Sequence, residues 1–253
     1  MTEEQFLQSY NVKKYTQFSI ATDIVCFSLV ESEAENYRRM NNKSFSILLI
    51  KRGGHPFKDK WALPGGFLKE DETLEQTAER ELLEETGLKP SYIEQLYSFS
   101  DINRDPRTRV ISASYIAFLN KPAILKAASD AKEARWFEIE LSEDDKLTLT
   151  NGDIVLTEQE LAFDHERIIK FAMARLRGKI EYTNIALNLL PQYFTLTELQ
   201  RVYEKILGKP LLAANFRRKV QDIVEETELR EEGKGYRPPK LYTKKPNMDN
   251  VQH

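Results

Sequence analysis

The sequence predicts an α+β protein with two domains, and three observations support this prediction. Segments rich in β-branched and aromatic residues recur through the N-terminal part of the chain, as is typical of strands. Among them, residues 74–86 carry apolar residues at helical spacing. After residue 180 the pattern changes to short helices followed by basic extended pieces. We therefore predict a first domain over residues 1–178 and a smaller one over residues 179–253.

Composition and charge agree with this division. The 253 residues are 41% hydrophobic and 30% charged, as expected of a globular chain with a core. Basic and acidic residues number 24 and 30 up to Gly178 but 13 and 10 beyond it, so the net charge changes from −6 to +3. This asymmetry supports a boundary followed by a basic domain.

The sequence also indicates the cellular location of the protein and the state of its cysteine. It has no run of eighteen apolar residues, and its acidic start lacks the basic and apolar regions of a signal peptide. Cys26 is the only cysteine and lies in the apolar run DIVCFSLV, which favours a buried, inert thiol over a nucleophile. We predict a cytoplasmic protein.

The first domain reads as a series of strands closed by a helix. The predicted strands are residues 18–30, 45–51, 92–100, 110–119, 134–137, 146–150 and 153–157. The first two form a hairpin with a long polar loop, in which Asn41-Asn42 suits a turn. Asn151-Gly152 predicts a type I′ turn between the last two. A helix beginning at Glu158 is predicted to close the domain.

The pattern of residues 63–88, LPGGFLKEDETLEQTAERELLEETGL, predicts a loop, then a helix, then a signal that ends the helix. Gly65-Gly66 permits backbone conformations closed to other residues. Asp71 or Thr73 is a candidate cap, and Gly87 sits where a left-handed residue ends a helix. Residues three and four apart are neighbours on a helix, so three glutamates point one way. They are Glu81, Glu84 and Glu85.

Converging carboxylates predict a cation site. They repel each other and raise each other's pKa unless a cation neutralises them, and hard oxygen ligands suit Mg²⁺ or Mn²⁺. Arg80 is placed to hold one of them by a charge-assisted hydrogen bond. The alternative is a solvated acidic helix. We favour the cation site because the Gly-Gly loop, the arginine and the terminal glycine all fall at set offsets.

This stretch resembles the Nudix box and matches it at every defining position. The resemblance implies that the first domain is an α/β/α sandwich with a mixed sheet. It also implies a loop-helix-loop that binds Mg²⁺ and cleaves nucleoside diphosphates linked to another group. By the same resemblance, Glu81, Glu84 and Glu85 are metal ligands and the carbonyl of Gly66 joins them. Arg80 then orients a ligand, and Glu72 is the upstream acid that supports the loop.

The loop DINRDPRTR, residues 101–109, is a candidate for substrate binding. Guanidinium groups match phosphate in a bidentate manner, so its arginines are suited to a pyrophosphate. On charge alone a solvated hairpin tip is equally compatible. The surrounding segment resembles ADP-ribose-type Nudix proteins, which implies a ligand role for Arg104, Asp105 and Arg107 together with Gly65 and Gly66.

Three further residues have side chains capable of acid–base chemistry. Glu133 precedes a predicted strand in a region where some Nudix proteins take an extra acid, and an ordinary strand-flanking charge is the alternative. His55 lies among loop residues, which favours a surface position. His165 has no second histidine or cysteine near it in sequence, which favours a structural hydrogen-bonding role.

The second domain is predicted to be a winged helix-turn-helix. Residues 184–190 form a first helix, and Thr195 or Thr197 caps a second that ends before Gly208. The third helix, ANFRRKVQDIVEE, carries its three basic residues, Arg217, Arg218 and Lys219, in its first turns, and two extended basic pieces follow it. In such a domain the third helix enters the major groove and the wing holds phosphate. The predicted DNA contacts are Asn215, Arg217, Arg218, Lys219, Arg237, Lys240 and Lys244. The alternative is a basic patch on a small docking domain.

Most of the chain resembles the Nudix-type regulators of NAD and sugar metabolism. The segments that carry this resemblance include LAFDHERII, FTLTELQRVYEKILGKPL and NFRRKV. It implies a homodimer in which a Nudix domain senses ADP-ribose or a related metabolite and a winged helix binds operator DNA. Many such regulators have degraded boxes, whereas this chain keeps every box residue, so the resemblance also leaves room for Mg²⁺- or Mn²⁺-dependent hydrolysis.

The predicted reaction is attack of water on a phosphorus atom while Mg²⁺ neutralises the pyrophosphate oxygens. The general base stays open between Glu85 and Glu133. Two other functions compete with the regulator. One is a plain Nudix pyrophosphatase whose C-terminal domain only dimerises or docks, and the other is a metabolite sensor without catalysis.

Overall fold

A mixed β-sheet forms the centre of the first domain. The computed structural model describes residues 1–31, 43–120, 131–142, 144–231 and 238–246. Nine strands in these ranges build the sheet: β1 (Ser19–Glu31), β2 (Lys43–Arg52), β3 (Trp61–Ala62), β4 (Gly65–Phe67), β5 (Tyr92–Phe99), β6 (Val110–Leu119), β7 (Ala131–Leu141), β8 (Leu147–Asn151) and β9 (Ile154–Leu156). Their order is β5-β6-β1-β2-β7-β8-β9, with β3 paired to β2 and β4 to β1. β1 and β6 run parallel, and the other described pairs are antiparallel.

Helices cover both faces of this sheet, as predicted. The α-helices of the described ranges are α1 (Glu3–Ser9), α2 (Leu74–Thr86), α3 (His165–Tyr182), α4 (Leu196–Leu207) and α5 (Ala213–Val220). Of these, α2 packs on one face of the sheet and α3 on the other. Alternate residues of β1 point to opposite faces. Ile24 and Cys26 join the apolar cluster of α2, whereas Val25 and Phe27 join the larger cluster of α3. In the described part of the chain, no helix is long and apolar enough to cross a membrane.

The local signals at α2 are confirmed. Thr73 is the N-cap, and its side chain accepts a hydrogen bond from the N–H of Gln76 while the side chain of Gln76 accepts one from the N–H of Thr73. Gly87 adopts a left-handed conformation, φ 74°, and its N–H bonds to the carbonyl of Leu83. A residue with a Cβ is strained in that conformation, which explains why the helix ends on glycine.

The helix predicted from Glu158 was wrong in its start, because α3 begins only at His165. The preceding residues form a short 3₁₀ turn, Glu158–Glu160. The N–H of Ala162 then bonds to the carbonyl of Trp61 at 2.8 Å, and Phe163 has a positive φ of 53°. A strand-like contact and a left-handed residue both interrupt helical geometry. Their effect is to place the first turn of α3 beside the loop that precedes β4.

The predicted hairpin of β8 and β9 is present, but its turn type was wrong. Asn151 pairs with Ile154, so the loop residues are Gly152 and Asp153. A type I′ turn requires a positive φ at both of these positions. Only Gly152 has one, at 56°.

The second domain has the predicted winged-helix order. Residues Ile185–Leu189 form a 3₁₀ helix where we expected an ordinary one. After it come α4, α5 and the antiparallel strands β10 (Val224–Arg230) and β11 (Lys240–Lys244). The third helix was predicted to run to Glu226, which was wrong: α5 ends at Val220 because the residues from Val224 pair with β11. The apolar residues at helical spacing on α4 are buried: Leu199, Val202, Tyr203 and Ile206. The predicted turn at Asn41-Asn42 and the predicted DNA contact Arg237 lie outside the described residues.

The two domains share one hydrophobic cluster that passes through α3. Ile168 and Leu176 of α3 belong to the same cluster as Phe27 of the sheet and Tyr203 of α4. Arg177 donates hydrogen bonds to the carbonyls of Leu141, at 3.2 Å, and Ile206, at 3.1 Å. The boundary predicted after residue 178 falls inside α3, so one helix contacts both domains.

The capping box of α4 gives a testable stability effect. The hydroxyl of Thr195 accepts from the N–H of Glu198 at 3.1 Å, and the N–H of Thr195 donates to the Glu198 carboxylate at 2.9 Å. We expect Thr195→Ala to lower the free energy of unfolding by about 1 kcal/mol. The exposed Thr197 on the same helix provides the control, and Thr197→Ala should change it by much less. Urea unfolding followed by circular dichroism measures both; equal losses would contradict the capping role.

Candidate functional site

A large cleft opens between the box segment, β1, the 101–109 loop and the start of α3. Its volume is about 1000 Å³, which is at the upper end of the range for small-molecule sites. Box residues Gly65, Gly66, Arg80, Glu81, Glu84 and Glu85 line it. Arg104, Asp105 and Arg107 line it from the loop, and Asp23, Phe163 and His165 from the floor and side. The structure therefore brings the predicted box and loop residues together.

The two glycines allow close approach of their neighbours. An added Cβ at Gly65 would stand 2.1 Å from the backbone carbonyl oxygen of Thr22 on β1, so only glycine lets β4 pair with β1 there. At Gly66 it would stand 2.2 Å from Oε1 of Glu81. Glycine at position 66 therefore leaves the space in which the Glu81 carboxylate packs against the loop, and a larger residue would displace that side chain.

Arg80 gathers the acids of the box. Its Nε and Nη2 donate to the two oxygens of Glu72 at 2.5 and 2.9 Å, and its Nη1 donates to Glu81 at 2.6 Å and Glu84 at 3.1 Å. The hydrogen bond from Arg80 lowers the pKa of Glu72 to about 2. This geometry agrees with Glu72 supporting the loop and with Arg80 orienting the helix carboxylates.

Glu85 lies in a different environment from its neighbours on α2. It is buried, and its Oε2 accepts a hydrogen bond from the N–H of Gly65 at 2.9 Å. Burial raises the pKa of Glu85 to about 8, assisted by the negative charges of Glu81 and Asp23 and opposed by the Gly65 hydrogen bond and by Arg52. A carboxylate in this position would be stabilised in its charged form by a nearby cation.

The donors fit a hard divalent cation in chemistry, but their present arrangement is centred on Arg80. Within the described ranges, no group of three or more histidine, cysteine, aspartate or glutamate side chains is placed to hold a metal. The available donors are nonetheless all oxygens, from Glu81, Glu84, Glu85 and the backbone of Gly66, which is the ligand class of Mg²⁺ and Mn²⁺.

Arg104 is held within the protein by two aspartates. Its Nη2 donates to Asp23 at 2.9 Å and to Asp164 at 2.8 Å, and its Nε donates to Asp164 at 3.1 Å. Its side chain is only 5% exposed. Asp164 immediately precedes α3, so this network joins the 101–109 loop, β1 and the first turn of α3. The guanidinium of Arg104 is thus largely committed to internal contacts.

Asp23 is the centre of that network. Burial alone would raise its pKa, but His165, Arg104 and Ser112 together hold it well below the usual range. Ser112 donates to Asp23 at 2.5 Å, and His165 Nε2 lies 3.3 Å from the other oxygen. Nδ1 of His165 accepts the N–H of Leu63 at 2.9 Å. His165 is therefore a satisfied structural histidine, as its sequence context suggested.

Arg107 is more exposed than Arg104, the other arginine of the loop that lines the cleft. It forms a bidentate pair with Asp105, at 2.7 and 3.0 Å, and its side chain is 44% exposed. Its guanidinium lies 5.4 Å from the ring centroid of Phe67 and 5.8 Å from that of Phe163. Arg107 therefore presents a cation beside two aromatic rings at the cleft.

Two other candidates take no part in this arrangement. Glu133 is not among the residues that line the cleft; its carboxylate pairs with Arg135 two residues along β7. Its role as a base stays a prediction without geometric support. His55 is exposed at the cleft margin.

Sequence reasoning missed Asp23, Asp164 and Phe163. Asp23 carried a usable signal, because a lone acid inside an apolar strand must find a partner. Asp164 and Phe163 lay within a segment that we had assigned to a continuous helix. No pattern around them indicated that the chain turns there.

The predicted DNA-binding residues of α5 form an exposed surface. Phe216 and Val220 are buried, whereas Asn215, Arg217, Arg218 and Lys219 are exposed. Arg218 donates to the side chain of Asn215 at 2.6 Å, and the ammonium of Lys219 lies 5.2 Å from the ring of Tyr203. On the wing, Lys240 is exposed and pairs with Glu226, and Lys244 is partly buried in β11.

This fold and these two surfaces define a Nudix domain followed by a winged-helix domain, and comparison with known proteins agrees. The sequence matches the NUDIX domain over residues 37–158 and the NrtR DNA-binding winged helix domain over residues 186–243. It is 35% identical over 245 residues to the ADPR responsive transcriptional repressor NtrR of Acinetobacter baylyi, covering 95% of this chain and 88% of that one. The chain belongs to this NrtR family of Nudix-type regulators.

Two further similarities concern about half of the chain and nearly the whole chain, respectively. An ADP-ribose pyrophosphatase of Methanocaldococcus jannaschii is 43% identical over 136 residues, which cover 54% of this chain and 70% of that enzyme. The crystal structure of Shewanella oneidensis NrtR complexed with a 27mer DNA superposes with a TM-score of 0.69 at 33% identity. That match covers 90% of this chain and 94% of the other.

Proposed function

We propose that this protein is a transcriptional repressor whose DNA binding is controlled by ADP-ribose or a closely related nucleoside diphosphate. The observation that carries the proposal is that α3 and α4 connect a nucleotide-sized cleft with the basic recognition helix. His165 at the start of α3 lines the cleft, Arg177 further along α3 bonds to α4, and Tyr203 of α4 packs against Phe216 of α5. The similarity to an ADPR responsive repressor supports the same function. A homodimer would present two recognition helices to a two-fold symmetric operator.

Within the cleft, we assign the pyrophosphate to the side lined by Arg107 and the two glycines. Arg107 has an accessible guanidinium suited to phosphate, whereas Arg104 shapes the floor through Asp23 and Asp164. Asp105 holds Arg107 in place by its bidentate pair. Binding of ADP-ribose to the purified protein, measured by calorimetry, should be weakened in Arg107→Ala, and unchanged affinity would contradict this assignment.

DNA binding is tested by two variants with different expected signatures. Arg218 lies on the outward face of the recognition helix, so Arg218→Ala should weaken specific binding by roughly 10-fold or more and relax sequence preference. Lys244 lies on the wing strand β11, so Lys244→Ala should weaken binding to all sequences alike and reduce the salt slope by about one. Fluorescence anisotropy with DNA from upstream of the gene measures both. Wild-type affinity in both variants would argue against the winged helix as the DNA-binding element.

We also propose that the intact box retains divalent-metal-dependent hydrolysis of the ligand. Glu81, Glu84, Glu85 and the Gly66 carbonyl would hold Mg²⁺ or Mn²⁺, which would supply charge neutralisation at the pyrophosphate. Arg80 positions the carboxylates of Glu81 and Glu84 by hydrogen bonds. Of the two candidate general bases, Glu85 is favoured over Glu133 because only Glu85 lines the cleft. The similarity to an ADP-ribose pyrophosphatase supports this activity. Release of AMP from ADP-ribose, with and without EDTA, tests it.

A further inference from the structure

The start of the recognition helix carries an apolar residue that neither packing nor capping explains. Leu212 occupies the N-cap of α5, with an extended backbone and no side-chain hydrogen bond to the helix. Serine, threonine, aspartate and asparagine stabilise that position, whereas leucine does not. The side chain of Leu212 is also 74% exposed, so it contributes little to the core. Its presence therefore costs helix stability without an internal contact that offsets it.

Leu212 stands at the tip of a face suited to nucleic acid. Phe216 and Val220 mark the buried side of α5. The positions turned away from them include Ala214, Asn215 and Arg218, all of which are exposed. The helix has three basic residues and no acidic one. An exposed leucine at the end of this basic face is therefore positioned to meet a polyanion rather than solvent alone.

The chemistry of the major groove supplies a partner for such a side chain. The N-terminal residues of a recognition helix contact base edges. Thymine is the base that presents a methyl group there, and apolar side chains recognise it by direct contact. We propose that Leu212 is a specificity residue that packs against the C5 methyl of a thymine, beside Arg218, which Asn215 orients through the 2.6 Å hydrogen bond. This inference rests on the proposed DNA binding.

Uracil substitution isolates the proposed contact, because uracil differs from thymine only in lacking that methyl. DNA would first be selected from a random pool by the full-length wild-type protein, and each thymine in the selected site then replaced singly by uracil. We expect one thymine per half-site at which uracil weakens wild-type binding by about three- to fivefold, the effect of one buried methyl group. Leu212→Ala should lose a similar factor on thymine DNA and bind thymine and uracil DNA equally.

Two matched variants separate this contact from other effects. Leu212→Ser restores a capping side chain, so it should keep or raise the thermal stability while still losing the thymine preference. Ile102 is exposed to the same extent, 75%, on the loop beside the cleft, and Ile102→Ala should leave the uracil effect intact.

The outcomes distinguish this inference from the function on which it rests. A uracil effect that persists in Leu212→Ala, or is absent from the wild type, would overturn the contact while DNA binding stands. A change in oligomeric mass of Leu212→Ala with unchanged DNA selectivity would overturn it in favour of a protein contact. If the wild type selects no sequence from the pool, the proposed function fails as well.

Discussion

Glu84→Gln is expected to lower metal-dependent release of AMP from ADP-ribose by about 100-fold or more, as for loss of a metal ligand in a hydrolytic site. Among the three box glutamates of α2, Glu84 has the most accessible carboxylate, with a side chain 49% exposed at the cleft. Its carboxylate accepts a 3.1 Å hydrogen bond from Arg80. Glutamine keeps the size but removes the negative charge, so the variant loses affinity for the cation without a packing defect.

The control is a second charge-neutralising change on the same helix. Glu79 is exposed and does not line the cleft, so Glu79→Gln should retain wild-type turnover. Calorimetry with ADP-ribose in EDTA separates ligand binding from turnover, and Glu84→Gln should still bind. Equal turnover in wild type and Glu84→Gln would exclude Glu84 as a ligand. Binding without turnover in the wild type would identify the cleft as a sensor that does not consume its signal.

The box was predictable because its structure is set by residues near each other in sequence. Thr73 and Gln76 cap the helix within one turn, and Gly87 ends it by a local conformation. The contact of Arg80 with Glu84, four residues further on, also follows from helical spacing. The same holds for α4, where Thr195 and Glu198 form a capping box three residues apart. Short-range rules suffice for such elements.

The rest of the cleft was not predictable in the same way because its contacts are distant in sequence. Arg104 meets Asp23 across 81 residues and Asp164 across 60. Its charge suggested a phosphate ligand, and nothing local indicated that two buried aspartates would hold it. Similarly, helical spacing continued through Leu161, but a backbone contact with Trp61 delays α3 until His165. Tertiary contacts overrode the local pattern in both cases.

Arg104→Ala is expected to destabilise the protein strongly, in contrast to the removal of a surface arginine. The variant leaves Asp23 and Asp164 without their shared partner, and breaking a buried ion pair in this way costs about 3–5 kcal/mol. For a chain of this length, that loss lowers Tm by roughly 10 °C. Arg167 provides the control, because it joins α3 to Asp101 of the same loop but both side chains are 57% exposed. Arg167→Ala should cost less than about 1 kcal/mol.

The pH dependence of the stability difference between wild type and Arg104→Ala tests whether the charge of Arg104 causes that difference. The pKa of Asp23 is held below its usual range in the folded protein, so its contribution to stability is present above the unfolded pKa, about 3.9, and is lost as the pH falls through the folded value. In Arg104→Ala, Asp23 keeps His165 and Ser112 but loses the positive charge of Arg104, so the variant has less of this contribution to lose. The difference in Tm between wild type and Arg104→Ala should therefore stay constant from neutral pH to about pH 4 and narrow as the pH falls below about 3.9, as measured by calorimetry. A difference independent of pH would mean that Arg104 stabilises the cleft by packing rather than by its charge.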